Sequence, residues 1–373
     1  MKKTRVLLAG LVMALAGEVQ ADYALNMPQG VTEVSRDIYD LHMLILWICV
    51  VIGVVVYGLM FYSIMHHRKS KGAVPAQFHE NTKLEVVWTI IPFIILIGMA
   101  VPATTVMMKA YDTKTASEMT IKVTGYQWKW RYTYLDEGID FFSALDAESN
   151  KARQLGSGID PTSIPNYLLN VDNPLVIPIN KKIRFLFTAA DVIHSWWVPD
   201  FGWKKDTIPG FVTDGWVKVE KPGTYRGQCT ELCGRDHGFM PIVVIAKTPE
   251  DYAQWVSQHK AKKEVQKAEA TKSFTMDELM AKGEQVYKAN CASCHLPEGE
   301  GIPGAFPAIK GSAVATGPLD EHVKLVLHGK NAMPAFAEML EPADTAAVIT
   351  YQRNAFGNAK GDMIQPSEIQ AQK

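Results

Sequence analysis

The chain has few cysteines and no excess of either charge, and both shortages exclude a class of protein. Five cysteines among 373 residues are too few for a disulfide-rich secreted scaffold. The 38 basic and 39 acidic residues give a formal net charge of −1, so no basic field exists to hold nucleic acid. The length suggests two to three domains. Apolar residues make up 47% of the chain and are concentrated in the first 110 positions, which suggests a membrane segment.

Residues 1–21 have the three-part layout of a secretory signal peptide. A positively charged start, ending at Arg5, precedes an apolar run from Leu7 to Gly17. Small residues follow at Val19 and Ala21, and we expect cleavage after Ala21. The alternative is an uncleaved anchor, but eleven apolar residues are too few to span a bilayer.

Two apolar segments, at about 41–65 and 86–108, predict a transmembrane hairpin within the region 22–110. Each covers the roughly 20 residues that a spanning helix needs. The loop between them carries Arg68, Lys69, Lys71 and Lys83 against Glu80. Because positive charge stays in the cytoplasm, we expect this loop inside the cell and everything after residue 110 outside it.

Residues 111–256 read as a second domain, of β structure. Short alternating apolar runs, such as Met119–Val123 and Ile183–Phe187, are separated by turn residues. Many short strands at this spacing favour an all-β sandwich or barrel. An acidic loop between Asp136 and Asn166 interrupts the pattern, and the sequence predicts no role for it.

Soft metal ligands are concentrated late in this domain. The candidates are His194 and, from 35 residues later, Cys229, Cys233, His237 and Met240. Thiolate, imidazole and thioether together select copper over hard cations, and zinc has little use for the methionine. The alternatives are a disulfide between the two cysteines and an ordinary buried histidine at 194.

The two ligand segments resemble the binuclear copper A site of cytochrome c oxidase subunit II, a cupredoxin-like domain. The resemblance assigns copper binding to the five candidates above and also to Glu231, through its backbone carbonyl. The Glu231 side chain would then help to bind magnesium at the boundary with subunit I. Two thiolates bridging two coppers would share one electron over a rigid site, which suits rapid transfer.

Two further segments are similar to the same family. In the aromatic segment Gly125–Trp130, the resemblance makes Trp128 the residue that receives electrons; the alternative is a strand of core aromatics. In the segment Glu85–Pro92, it places Glu85 at the mouth of a proton path in subunit I. The alternative is a carboxylate that only marks the cytoplasmic interface.

The C-terminal region carries a haem attachment signature. A lysine-rich stretch, 257–275, reads as a solvated and partly helical linker. A helical pattern from Met276 then leads into Cys291-Ala-Ser-Cys294-His295. In such a segment two thiols bond the porphyrin and the adjacent imidazole reaches iron. The alternative is a redox or zinc site, but this region has no second cysteine pair to complete a zinc shell.

Residues 276–360 resemble a small class I cytochrome c, followed by a tail at 361–373. The resemblance makes Cys291, Cys294 and His295 the haem-binding residues. It also makes Met333, which precedes a proline, the axial thioether, and a thioether opposite histidine raises the haem potential. Other candidates for the axial position are Met339, Met363 and His328.

The parts predict a multidomain membrane protein: a two-helix transmembrane hairpin, an all-β cupredoxin-like sandwich and an all-α class I cytochrome c domain. This layout resembles subunit II of a caa3-type terminal oxidase of the bacterial inner membrane, with copper and haem domains in the periplasm. The resemblance implies an electron relay from haem c to copper A and on to subunit I. There, haem a, haem a3 and CuB would reduce oxygen to water with proton translocation. Subunit III and a cytochrome c or other electron donor complete the implied partners.

Three other functions fit the sequence less well. A copper-delivery or redox-sensing protein needs an exchangeable thiol pair, not two full ligand sets and a haem. Nitrous-oxide reduction needs a further copper cluster fed by many histidines, and the chain has ten in all. Quinol-oxidising relatives of subunit II lack the copper ligands.

Overall fold

A computed structural model describes residues 26–154, 156–331 and 333–373. The predicted signal peptide at 1–21 lies outside the described residues. The chain divides into two compact units, of which the first ends at Ala110 and also contains Pro199–Gly202. The second comprises Tyr111–Val198 and Trp203–Lys373.

The first unit consists mainly of two long apolar helices. Helix α1 spans Glu33–His66 and helix α2 spans Thr82–Ala110, with mean hydropathies of 2.8 and 2.3 in their most apolar windows. None of those window residues is buried inside the protein, as suits side chains that face lipid. The helices extend beyond the predicted apolar segments at both ends. Near the end of α2, Lys109 forms ion pairs with Glu33 and Asp37 in the first turns of α1.

The N-terminal part of the second unit is a sandwich of two five-stranded sheets. The strands are β1 Met119–Tyr126, β2 Lys129–Tyr134, β3 Ile139–Ser143, β4 Leu175–Pro178, β5 Ile183–Ala189, β6 His194–Trp197, β7 Lys204–Thr207, β8 Thr213–Val217, β9 Gly223–Cys229 and β10 Pro241–Lys247. One sheet has the order β3-β2-β1-β5-β8 and the other β4-β10-β9-β6-β7. The predicted all-β, cupredoxin-like sandwich is confirmed.

Alternation within the strands builds the core between the sheets. In β5 every second residue is buried, and β2 follows the same pattern. The largest fully buried side chains of the sandwich include Trp130, Tyr132, Tyr134, Phe185 and Trp196. Because inward-facing residues of both sheets interlock, strand ends and loops are left to carry the site.

Two helices flank the sandwich. The short helix α3, Ala147–Ala152, lies in the loop that had no predicted role. Helix α4, Pro249–Glu269, begins after the last strand, capped by Thr248, and crosses the predicted start of the linker at residue 257. The linker is therefore helical as far as Glu269. The domain limits given above stay predictions.

The C-terminal part of the second unit is all-helical. Its helices are α5 Met276–Asn290, α6 Ala292–His295, α7 Ala313–Thr316, α8 Leu319–His328, α9 Pro342–Asn354 and α10 Pro366–Gln370. Helices α5 and α9 pack closely at Gly283, where an added Cβ would lie 2.2 Å from the Ala347 carbonyl oxygen. The predicted tail joins the same core, because Ile364 and Ile369 are fully buried in it.

Candidate functional site

The candidate copper ligands meet at one end of the sandwich. His194 is the first residue of β6 and Cys229 is the last residue of β9. These strands are antiparallel neighbours, with Trp196 opposite Cys229. The loop between β9 and β10 then carries the remaining candidates, Cys233, His237 and Met240. Strand pairing thus brings His194 to Cys229, 35 residues later in the chain, and to the loop that follows it.

The donor atoms form a compact group. The ligand atoms of His194, Cys229 and Cys233 all lie within 4.8 Å of one another, and the three residues are buried. The two sulfur atoms are 3.8 Å apart, and Cys233 Sγ is 3.5 Å from His237 Nδ1. Met240 is also buried, and its carbonyl oxygen accepts the Cys229 N–H. The structure therefore brings together the side chains of His194, Cys229, Cys233 and His237, and it places the Met240 backbone beside Cys229.

His194 presents one ring nitrogen to the cysteines. Its Nε2 is 2.9 Å from Asp191 Oδ1, whereas its Nδ1 is buried and has no hydrogen-bond partner among the described residues. On β1, Gly125 allows this close packing, because an added Cβ would lie 2.6 Å from His194 Cδ2. In a metal-binding imidazole, one ring nitrogen is expected to be free for the metal while a carboxylate fixes the other ring nitrogen. Here Nδ1 is the free nitrogen and Nε2 the fixed one.

The thiols interact strongly with each other. A hydrogen bond from Cys233 is the main cause that lowers the pKa of Cys229. The same hydrogen bond, with burial, raises the pKa of Cys233 well above its ordinary value. The first proton is therefore lost more easily from this pair of thiols than the second. The donor set, two cysteines with a free imidazole nitrogen, fits copper.

Other predicted residues lie around this group. The Glu231 carbonyl oxygen is 3.4 Å from Cys229 Sγ, and its side chain is exposed. Trp128 is half-buried, and its Nε1 donates to the Cys233 carbonyl oxygen at 3.2 Å. Sequence reasoning missed Gln127, which donates to the same oxygen at 2.8 Å. It also missed Asp191, although the three-residue spacing to His194 could have indicated it.

The haem attachment motif is on and beside the short helix α6. Cys291 is buried and Cys294 partly buried, and burial raises the pKa of both thiols. His295 Nδ1 lies 2.8 Å from the Pro307 carbonyl oxygen, which can only accept, so Nδ1 donates. Nε2 then keeps its lone pair for a metal, as haem iron requires. The residues present therefore fit a covalently bound haem.

The structure narrows the candidates for the axial position. Met333 and Met339 both pack against the core of the helical domain. His328 and Met363 are exposed, so their side chains face away from that core. The assignment of Met333 stays a prediction.

Glu85 lies in the other unit, in the first turn of α2. Its side chain is exposed, and Oε1 accepts the Asn81 N–H at 3.4 Å. Its role in proton uptake stays a prediction.

Fold and site together define a membrane-anchored electron-transfer protein that pairs a cupredoxin-like domain with a cytochrome c domain. Residues 119–247 match the family described as cytochrome C oxidase subunit II, periplasmic domain, and residues 20–106 match its transmembrane domain. Residues 278–351 match cytochrome C oxidase, cbb3-type, subunit III. The chain belongs to the cytochrome c oxidase subunit II family, with a cytochrome c domain at its C-terminus.

Several similar proteins are named cytochrome c oxidase subunit 2. The probable cytochrome c oxidase subunit 2 of Rickettsia bellii is 40% identical over 60% of this chain and 80% of its own length. The cytochrome c oxidase subunit 2 of Cereibacter sphaeroides is 35% identical, over 67% of this chain and 88% of its own. Among solved structures, the periplasmic domain of subunit II of cytochrome oxidase (CoxB) of Bradyrhizobium japonicum is 41% identical. It aligns over 39% of this chain and 96% of its own, with a TM-score of 0.34. The family match implies copper A, and the cytochrome c match implies haem c.

Proposed function

We propose that this chain is the electron-accepting subunit of a caa3-type terminal oxidase. Electrons would pass from haem c at Cys291 and Cys294 to a copper pair held by Cys229 and Cys233, and then to subunit I. When bound, haem and the copper pair supply one-electron redox chemistry. The chain itself holds both groups and brings their binding sites together.

Contacts between the copper-binding loop and the helical domain carry this proposal. The Arg235 guanidinium, in the loop after Cys233, lies over the Phe306 ring at 5.7 Å. Arg235 and the neighbouring Asp236 are also close enough to Cys294 to affect the pKa of its thiol, which burial chiefly raises. The haem attachment site is thus a neighbour of the copper-binding loop.

Strand β2 provides a second set of contacts. The Lys129 ammonium lies 5.5 Å from the centre of the Phe336 ring, in the core of the helical domain. Burial lowers the pKa of Lys129. Arg131 pairs with Glu338 of the helical domain at 2.8 Å. These contacts support short-range transfer within one chain.

We assign Trp128 to this path. It directly precedes Lys129, which faces the haem attachment site, and it donates to the carbonyl of the ligand candidate Cys233. An aromatic ring between the two sites would shorten the gap that an electron crosses through saturated atoms.

The other proposed roles involve the partner subunits of the oxidase complex. Subunit I, with haem a, haem a3 and CuB, would reduce oxygen to water with proton translocation, and subunit III would accompany it. Glu231 would share a magnesium ion with subunit I, and Glu85 would gather protons from the cytoplasmic side. We place the assembly in the bacterial inner membrane, with residues 111–256 and 276–360 in the periplasm. A cytochrome c or another electron donor would reduce the haem domain.

Purification from detergent-solubilised membranes tests the proposal. We expect a larger subunit with haem a to co-purify, with two more copper ions per complex than a C229S/C233S variant contains. C49S is a matched control, because Cys49 lies in α1 and is exposed rather than in the ligand group. Isolation of the chain without a haem a subunit, or equal copper in both variants, would contradict it.

A further inference from the structure

The loop between Asp136 and Asn166, which had no predicted role, contacts the copper-binding loop. Helix α3 ends beside Arg153, whose Nη2 pairs with Asp236 Oδ2 at 3.0 Å. The two side chains are only 9% and 6% exposed. Eighty-three positions separate them, so the contact is made by the fold and not by local sequence.

Arg153 makes a second contact with the same loop. Its guanidinium lies over the Phe239 ring, with 4.4 Å between Cζ and the ring centre. Phe239 is bonded to Asp236 through the backbone, its N–H donating to the Asp236 carbonyl oxygen at 2.9 Å. One planar cation thus contacts both ends of the turn that contains His237 and directly precedes Met240.

The arginine is itself held in place. Its Nε donates to Asn150 Oδ1 at 2.8 Å, and its backbone N–H donates to the Ser149 carbonyl oxygen. Asp146 caps α3 by accepting the Ser149 N–H at 2.9 Å. A guanidinium fixed by its own helix restrains its partners more than a mobile lysine would.

We propose that Arg153 is a positioning residue of the copper centre. Through Asp236 and Phe239 it fixes the turn that presents His237 and Met240. The inference rests on the proposed copper site and adds a residue to it. Residues that orient metal ligands without touching the metal change metal affinity by about 10- to 100-fold when they are replaced.

Removal of one partner from the Arg153–Asp236 ion pair would leave the other charge buried and uncompensated. Asp236 is buried, and its other cationic neighbour, Arg235 Nε, is 3.8 Å from Oδ1. Without Arg153, the carboxylate would lose its close partner and turn toward Arg235 or water. That movement would shift the backbone of the residue before His237 and free the ring before Met240.

The experiment compares R153M and R153K with wild type in the full-length chain, loaded with copper and haem. R184M is the matched control, because Arg184 and Asp214 form another Arg–Asp pair, at 2.6 Å, between β5 and β8. The readouts are copper per chain, copper loss to a chelator, the paramagnetic resonance spectrum and the copper potential.

We expect R153M to lose copper about 10- to 100-fold faster and to change the hyperfine pattern and potential. R153K should fall between R153M and wild type, because it keeps the charge pair and loses the planar contact with Phe239. R184M should match wild type. The haem spectrum should be unchanged in all variants.

A wild-type spectrum, potential and loss rate in R153M would overturn this inference alone. If R153M does not accumulate, the F239L variant is measured in its place. It should change the paramagnetic resonance spectrum and the copper potential, and unchanged values would overturn the inference. A wild-type chain that binds no copper pair would overturn the proposed function together with it.

Discussion

A buried histidine in the helical domain should make that domain sensitive to mild acid. His322 is 4% exposed on α8, and its Nε2 donates to Gln352 Oε1 at 2.9 Å. Its Nδ1 is buried and has no hydrogen-bond partner in the described part of the chain. Burial, with the nearby Arg353, lowers the pKa of His322 to about 4. A proton on Nδ1 would place an unpaired charge beside that guanidinium.

The sign and size of the effect follow from linkage. The unfolded chain takes up the proton near pH 6.5, whereas the folded domain resists it until about pH 4. The free energy of unfolding therefore falls as the pH drops through this window. Between pH 7 and pH 5 this one group should cost about 2 kcal/mol, and about 3 kcal/mol once the pH is below 4.

The assay is denaturant unfolding of the haem-loaded chain at pH 7 and pH 5, followed by Soret circular dichroism. H322Q should remove about 2 kcal/mol of the difference between the two pH values. H328Q is the control, because His328 is an exposed histidine of the same helix. An equal pH dependence in H322Q and wild type would refute the reasoning.

Three other predictions test separate parts of the chain. G283A should destabilise the helical domain by about 1–3 kcal/mol, seen as a lower melting temperature, because its methyl group would meet the backbone of α9; an unchanged value would contradict the close crossing. M333A should keep the haem covalent and change the iron spin state in the optical spectrum, whereas M339A should leave it low-spin; the reverse result would make Met339 the axial ligand. E85Q should slow oxygen consumption by the assembled complex and leave electron transfer from haem c to copper unchanged, and a wild-type turnover rate over a broad pH range would remove Glu85 from the proton path.

Local signals in the sequence predicted much of the fold. The apolar runs indicated both helices of the first unit, and alternation indicated strands such as β5. The haem attachment motif from Cys291 to His295 is contiguous, so its chemistry can be recognised from the sequence alone. The candidate ligands from Cys229 to Met240 also lie within twelve consecutive residues, and only His194 had to be brought to them by strand pairing.

Contacts between distant segments could not be predicted. Arg153 reaches Asp236 only because α3 packs beside the loop after β9, and no periodicity encodes that arrangement. The alternating pattern of β2 places Lys129 on the outward face of the strand. The pattern does not show that this face contacts Phe336 of the helical domain. Ile364 and Ile369 lie in a short polar segment, and no periodicity in it indicated that both would be buried against the helical core.

Electron transfer between the two proposed redox sites tests the central claim most directly. The complex is reduced, mixed with oxygen, and followed at the absorption of haem c on the millisecond scale. The proposal predicts rapid oxidation of haem c in wild type and C49S, and haem c that stays reduced in C229S/C233S with its covalent haem intact. Oxidation of haem c at the wild-type rate in C229S/C233S would contradict it, because the electrons would then leave by a path that does not use the copper site.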